Sequence, residues 1–316
     1  MKVLVTGSSG HLGEALVRTL REAHDVVGLD VLASPHTLAR GSLVDRAFVR
    51  EHVRGAGAII HTATLHKPHV ATHTRQAFID TNVTGTLNLL EEAVEAGCKT
   101  FLFTSTTSTF GRALEPAAGE PAAWITEEVK PIPKNIYGVT KTAAEDLCEL
   151  FHIKHGLDCI VLRTSRFFPE EDDDETVRAQ YADDNMKVNE LLNRRVDIED
   201  VVSAHQLALE RAASIGFGRY IISATTPFTQ DDLTALRNDA PSVVARYAPS
   251  YPSVYGRRGW KMYPSFGRVY VNARARAELG WQPKYDFARA IAALEGGETF
   301  GSELAREVGA KGYHRC

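Results

Sequence analysis

Tyr137 and Lys141 stand four residues apart in Tyr137-Gly138-Val139-Thr140-Lys141, which on a helix puts a phenol and an ammonium side by side on one face. A cation beside a phenol favours the phenolate, so a group with an ordinary pKa near ~10 becomes usable as a general acid or base around neutrality. The pair alone is equally an ordinary solvated helix pair, and it gains meaning only from its company. Near the start of the chain, Thr6-Gly7-Ser8-Ser9-Gly10-His11-Leu12-Gly13 spaces three glycines three residues apart, between a strand-like run and a helical one. Gly7 can take backbone angles closed to other residues, Gly10 lets the chain approach a pyrophosphate, and Gly13 lets helix and strand pack closely. The helix N-terminus then offers free N–H groups to the anion. Asp30 ends the next apolar run, 17 residues beyond Gly13. A carboxylate there holds the hydroxyls of an adenosine ribose and repels a 2′-phosphate, so the pattern selects NAD over NADP; the competing reading of Asp30 is a simple loop cap.

These groups need a scaffold that brings strand ends and helix starts together. Lys2–Thr6, Asp25–Asp30, Gly57–Thr62, Thr100–Ser105 and Asp158–Thr164 read as nearly continuous apolar strands, while Leu12–Arg21, Asn82–Ala96 and Ala143–His155 carry helix spacing. The alternation predicts an α/β fold, a doubly wound parallel sheet (Rossmann) with a smaller C-terminal substrate-binding domain. Residues 1–168, with about 196–225, form the dinucleotide-binding domain; 169–195 and 226–296 form the substrate-binding portion, and 297–316 a C-terminal tail. Val83, Leu87, Leu90 and Val94 make one apolar stripe, read as core, with a dimer seam as the alternative. Glu170-Glu171-Asp172-Asp173-Asp174-Glu175 reads as a solvated loop or helix start. Pro241–Pro264, rich in Pro, Tyr, Arg and Gly, reads as irregular substrate-side structure.

Composition narrows the function classes. Thirty-six Lys and Arg against 40 Asp and Glu leave a net charge of −4, with no basic excess for a nucleic-acid backbone. No run approaches the ~18 apolar residues of a membrane span, and Met1 leads straight into a strand-like run with no room for a signal peptide. Cys98, Cys148, Cys159 and Cys316 are widely spaced, with no Cys-x-x-Cys pair, and read as reduced thiols. The expectation is a cytoplasmic protein without nucleic-acid or membrane partners. His61, His66, His69 and His73 invite a metal reading, but lack a carboxylate at ligand spacing, so no metal is expected. Trp260, Tyr263, Phe266 and Trp281 read as packing aromatics rather than a sugar-stacking surface.

Taken in order, Thr6-Gly7-x-x-Gly10-x-x-Gly13, Asp30, His61-Thr62-Ala63, Asn82-Val83-Thr84-Gly85-Thr86, Thr104-Ser105-Thr106 before Phe110-Gly111, Tyr137-x-x-x-Lys141, Arg163 and Leu279-Gly280-Trp281-x-Pro283 resemble the extended short-chain dehydrogenase/reductase superfamily, the group of NAD-dependent epimerases and dehydratases. The resemblance implies that Thr106 hydrogen-bonds the reacting substrate oxygen, Tyr137 moves its proton, and Lys141 holds the nicotinamide ribose and lowers the phenol pKa. It further implies that Gly7, Ser9, Gly10, His11, Leu12, Gly13, Asp30, Ser42, Leu43, Thr62, Ala63, Asn82, Thr104, Tyr137, Lys141 and Arg163 bind NAD. Thr64, Thr106, Thr107 and Arg166 would face the substrate, and a homodimer would form through the Asn82–Ala96 and Tyr137–His155 helices.

Departures from the family pattern bear on the substrate. Thr107-Ser108 stand where sugar dehydratases have an Asp-Glu pair, which disfavours water loss. Ser42 stands where an acid is usual, and Arg166 where an Asn is common. The 25 residues from 170 to 194 are fewer than the insert that wraps the nucleotide of nucleotide-sugar substrates. The expectation is therefore an NAD-dependent oxidoreductase or epimerase moving a hydride at a hydroxyl-bearing carbon of a sugar or sugar-like molecule. Arg166 would anchor an anion or hydroxyl, with a structural salt bridge as its alternative. Competing readings are a nucleotide-sugar 4-epimerase and, in another class, a noncatalytic NAD-sensing or interaction protein.

Overall fold

A computed structural model describes residues 1–172 and 174–312. Asp173 of the acidic run and Cys316 lie outside the described residues. In chain order the first half contains β1 (Lys2–Thr6), α1 (His11–Leu20), β2 (Asp25–Asp30), β3 (Ala39–Arg40), α2 (Arg46–Val53), β4 (Ala58–His61), α3 (Arg75–Phe78), α4 (Gly85–Glu95), β5 (Thr100–Thr106), β6 (Ala123–Ile125), α5 (Ile136–His155) and β7 (Asp158–Thr164). The second half contains α6 (Glu175–Gln180), α7 (Asp183–Glu190), α8 (Ile198–Ile215), β8 (Phe217–Ile222), α9 (Leu233–Asn238), α10 (Ala240–Tyr247), α11 (Tyr251–Arg258), β9 (Arg268–Tyr270), α12 (Ala273–Glu278), α13 (Phe287–Glu295) and α14 (Glu303–Val308). Seven strands form a parallel sheet in the order β3-β2-β1-β4-β5-β7-β8, and β6 pairs with β9 apart from it.

Burial on both faces explains the uninterrupted apolar strands. On one face Val3, Val5, Leu102, Ile160 and Leu162 pack with Leu16 of α1 and Val201 and Ala208 of α8. On the other, Leu4, Phe101, Phe103 and Val161 meet α2, α4 and α5 through Val49, Leu90, Ala144 and Cys148. Ala275, Leu279 and Trp281 join the first face, although they lie in the stretch read from sequence as substrate-binding. The chain leaves β1 for β2 on one side and reaches β4 on the other, so the strand order reverses at β1, where open α/β sheets bind ligands at the strand C-terminal ends.

A separate cluster gathers α7, α9, α10, α11 and α13 around Val188, Leu236, Val244, Tyr255, Phe266 and Phe287. Here Pro241–Pro264 departs from expectation: it holds α10 and α11, with Val243, Val244, Val254 and Tyr255 buried. Of its prolines, Pro241 and Pro252 occupy the first turns of these helices, where the missing N–H has no intrahelical partner to lose. Between α3 and α4 the backbone takes a π-helical turn over Ile79–Thr84. The apolar stripe is only half-buried at Val83, Leu87 and Val94, and the core face of α4 is Leu89, Leu90 and Ala93.

The acidic run is not simply solvated. Asp174 caps α6 by accepting from the Thr176 N–H, but Glu170 pairs with His11 at 3.0 Å and accepts from the Lys311 N–H at 2.8 Å. Burial opposes ionisation of Glu170, yet the His11 ring holds its pKa down at about 2. No described helix is long and apolar enough to cross a membrane.

Candidate active site

The turn after β1 is held by Leu29, whose carbonyl accepts from Gly7 N–H at 2.8 Å and Ser8 N–H at 3.2 Å. Gly7 has φ +75°, and a side chain there would stand 2.8 Å from the Ala63 nitrogen. A Cβ on Gly13 would fall 1.9 Å from the Gly7 carbonyl oxygen, so α1 can pack on the turn only without one. Asp30 accepts from Ser9 N–H at 3.0 Å and Leu32 N–H at 2.9 Å, fixing its carboxylate beside the turn. Together these groups form one wall of a cavity of about 1120 Å³. Ser9, Gly10, His11, Leu12, Ser42, Leu43, Thr62, Ala63 and Thr104 line it as well. So do Val31 and Leu32, 58% and 60% exposed; their only signal in the sequence was an apolar pair directly after the acid.

Across the cavity, Thr106 ends β5 and Tyr137 lies in the first turn of α5, which Asn135 caps by accepting from Gly138 N–H at 3.0 Å. Tyr137 and Thr106 both line the cavity, and Thr106 is the group that eases the phenol toward ionisation. Lys141, one turn further on, is 1% exposed and stands behind the wall. Its ammonium donates to the Thr104 carbonyl at 2.6 Å and lies 3.9 Å from the centre of the Phe103 ring. Burial brings its pKa down to about 7, with Glu145 and Cys148 acting the other way. The expected lowering of the phenol is absent from the chain alone: burial pushes Tyr137 up to about 12, partly offset by Thr106. The ammonium is spent on Thr104, and the low-polarity surroundings penalise a phenolate more than Thr106 favours it.

Other residues singled out from the sequence take structural work. Arg163, expected at the cofactor, does not line the cavity; it forms a buried bidentate pair with Glu145, with Nη2 to Oε2 at 2.6 Å. Ser105 also donates to Glu145, at 2.5 Å. Asn82, likewise expected at NAD, turns inward and joins the Leu65 N–H to the Thr140 hydroxyl, at 2.8 and 3.0 Å. Its neighbour Thr64, which does line the cavity, donates to it at 3.0 Å. Arg166 reaches the cavity but pairs with Asp172 and, at 3.2 Å, with Glu190, which is the structural alternative raised for it. Thr107 lines the cavity beside Thr106.

His66, His69 and His73 all border the cavity and meet edge to face in sequence, with ring centroids 4.5 and 5.0 Å apart. His61 is buried between Thr6 and Thr86 at 2.7 and 2.9 Å. No metal-holding group of His, Cys, Asp or Glu occurs among the described residues. Sequence reasoning missed Asn193, Arg194, Arg237, Ser265 and Arg268, which border the cavity from the second half; no spacing in the chain marks them. Trp281 is fully buried, whereas Tyr263 and Phe266 border the cavity.

Residues 3–222 match the family described as NAD dependent epimerase/dehydratase. The low-salt glycan biosynthesis protein Agl12 of Haloferax volcanii is 31% identical over 184 residues, 53% of this chain and 57% of that protein. A dTDP-glucose 4,6-dehydratase of Streptomyces antibioticus is 27% identical over 334 residues, 92% of this chain and 90% of that protein. The chain spans about half the length of several curated relatives it matches. In fold it resembles a short-chain dehydrogenase/reductase superfamily protein from Agrobacterium tumefaciens with bound NAD, at TM-score 0.66 and 22% identity over 97% of this chain and 99% of that one.

Proposed function

The chain belongs to the NAD dependent epimerase/dehydratase family, and from that premise we propose that it is an NAD-dependent oxidoreductase or epimerase acting at a hydroxyl-bearing carbon of a sugar or sugar-like substrate. The observation that carries the reading is that Tyr137 and Thr106 share one cavity with a glycine turn that tolerates no side chain. The N–H groups at the start of α1 would take the pyrophosphate, and Asp30 the adenosine ribose hydroxyls. NAD, when bound, supplies the acceptor and donor of hydride that side chains lack. Thr106 orients the substrate hydroxyl and Tyr137 takes its proton, while Lys141, placed by Thr104 one turn further along α5, supports the phenolate. Thr107 and Ser108 carry no carboxyl for water loss, which favours redox or epimer chemistry over dehydration.

A screen of sugars and sugar acids with NAD at 340 nm, repeated with Tyr137→Phe, tests the reading. Turnover that survives this substitution unchanged removes the proposed proton carrier. Protein that purifies with stoichiometric NAD and turns over without added cofactor is an epimerase rather than a net dehydrogenase. A second reading, a nucleotide-sugar substrate, is favoured by Arg237 and Arg268: both border the cavity and neither has a carboxylate partner among the described residues. Tight binding of a uridine diphosphate sugar selects it. The noncatalytic sensor is disfavoured, since a sensor has no use for a Tyr137–Thr106 pair. We further propose a homodimer through α4 and α5, supported by Val139, Leu150 and Ile153, which leave α5 48%, 45% and 67% exposed. The free thiols of Cys98, Cys148 and Cys159 support a reducing, cytoplasmic setting.

A further inference from the structure

The Lys141 ammonium is fixed by a backbone carbonyl, so whatever places that carbonyl places the cation. β4 ends at His61, in register with Phe103; Thr104 therefore lies beyond the ladder on that side and pairs only with Leu162 of β7. The free side of Thr104 is where Lys141 donates, at 2.6 Å. Thr104 shares the sheet face of Leu102, toward α8, and its hydroxyl lies 2.8 Å from Nε2 of His205. Nδ1 of the same ring lies 2.8 Å from the Val201 carbonyl. A carbonyl only accepts, so Nδ1 carries the proton, Nε2 is bare, and the Thr104 hydroxyl donates to it.

His205 is fully buried among Val201, Val202, Ala204 and Ala208, a site that an apolar residue would fill at lower desolvation cost. Burial pushes its pKa down to about 4, so it stays neutral and keeps this tautomer at neutral pH. We propose that His205 is a positioning residue: by locking Thr104 from the opposite face of the sheet, it sets the place and the charge of Lys141. The inference rests on the functional reading only for what Lys141 serves. The other groups facing Lys141 are Tyr137, Glu145 and Cys148 on its own helix, the Phe103 ring of β5, and His61 of β4. None belongs to α8, so α8 acts on the ammonium through Thr104.

The test follows the titration of the Lys141 ε-carbon by 13C NMR in the full chain without cofactor, together with NADH binding by fluorescence. Loosening the acceptor disfavours the protonated form, so His205→Leu is expected to lower the Lys141 pKa by about 0.5–1 unit. NADH affinity falls about three- to tenfold. Thr104→Val severs the same link from β5 and gives the same shifts, and the double variant is no worse than either single one. His205→Gln, whose amide oxygen can accept the hydroxyl, recovers part of both. An unchanged Lys141 titration in folded His205→Leu overturns the proposal; if that variant does not fold, an unchanged titration in Thr104→Val does so. Because the titration needs no cofactor, a wild-type chain that fails to bind NADH removes the functional reading without deciding this one.

Discussion

At the end of the cavity proposed for the dinucleotide, the wall is backbone: a turn hung on Leu29, two positions closed to side chains, and the free N–H groups of α1. At the substrate end, side chains face the cavity, and several are already engaged with each other. Glu190 is shared by Arg166, Arg194 and Arg195 at 3.2, 2.8 and 3.0 Å, and Asp172 takes Arg166 as well. The charges hold Glu190 below the ordinary carboxylate range, although burial works against them. A backbone site is specified by which residues are absent from it, and a side-chain site by which partners remain unsatisfied. The first tolerates no substitution; the second can be retuned by changing a single partner.

The largest effect that sharpens this contrast is expected at Gly13. Gly13→Val forces a branched side chain onto the Gly7 carbonyl and should abolish NADH binding or soluble expression, read by fluorescence titration and by yield. Binding weakened less than tenfold would mean that the turn yields and that the backbone description is wrong. Arg163→Met comes next. It removes the bidentate partner of the buried Glu145, leaving Ser105 at 2.5 Å and Arg219 at 3.4 Å, and should cost about 3 kcal/mol in urea denaturation, while NADH affinity in the folded fraction stays within about twofold.

Lys141→Met gives a pH-dependent result. Burial lowers the folded pKa of Lys141 to about 7 from the ordinary 10.5, so the unfolded chain binds more protons between those values and wild-type stability rises with pH across that window. Below pH 7 the burial penalty is present in full, and above about 10.5 it is gone. The variant should therefore be the more stable protein at pH 6–7, with the advantage shrinking toward pH 10, as melting temperatures across that range would show. The smallest effect is expected for Arg166→Leu, since Glu190 keeps two other arginines and Asp172 keeps the Asp174 N–H: about 1–2 kcal/mol of stability, mostly from the unpaired Asp172, and KM for any sugar substrate within about threefold. A tenfold rise in KM would return Arg166 to the substrate and narrow the difference between the two ends.

The same contrast decides what could be read from the chain. β1, β2 and β7 lie at the expected residues because uninterrupted apolar runs have one solution in a covered parallel sheet. The glycine turn and Asp30 were legible because their chemistry is local. α5 begins at Ile136, seven residues before its helix spacing becomes clear at Ala143, because Asn135 starts it and Gly138 and Thr140 blur the pattern. The ion-pair partners of Arg163 and Arg166 were not legible for one reason: Glu145, Glu190 and Asp172 become their partners only once α5, α7 and the loop after β7 are folded into place. His205 left no signal, since its partner lies 101 residues away.

The π-helical turn at Ile79–Thr84 makes this part of the chain sensitive to length as well as to residue type. An ordinary helix turns about 100° per residue. Removing one residue from that wide turn would let the segment relax into a regular helix, yet would swing everything on one side of the cut by roughly a quarter-turn. Either Leu89, Leu90 and Ala93 would leave the core, or the Asn82 amide would lose Leu65 and Thr140 together and release the loop after β4. A single-codon deletion here should therefore do more damage than most single substitutions.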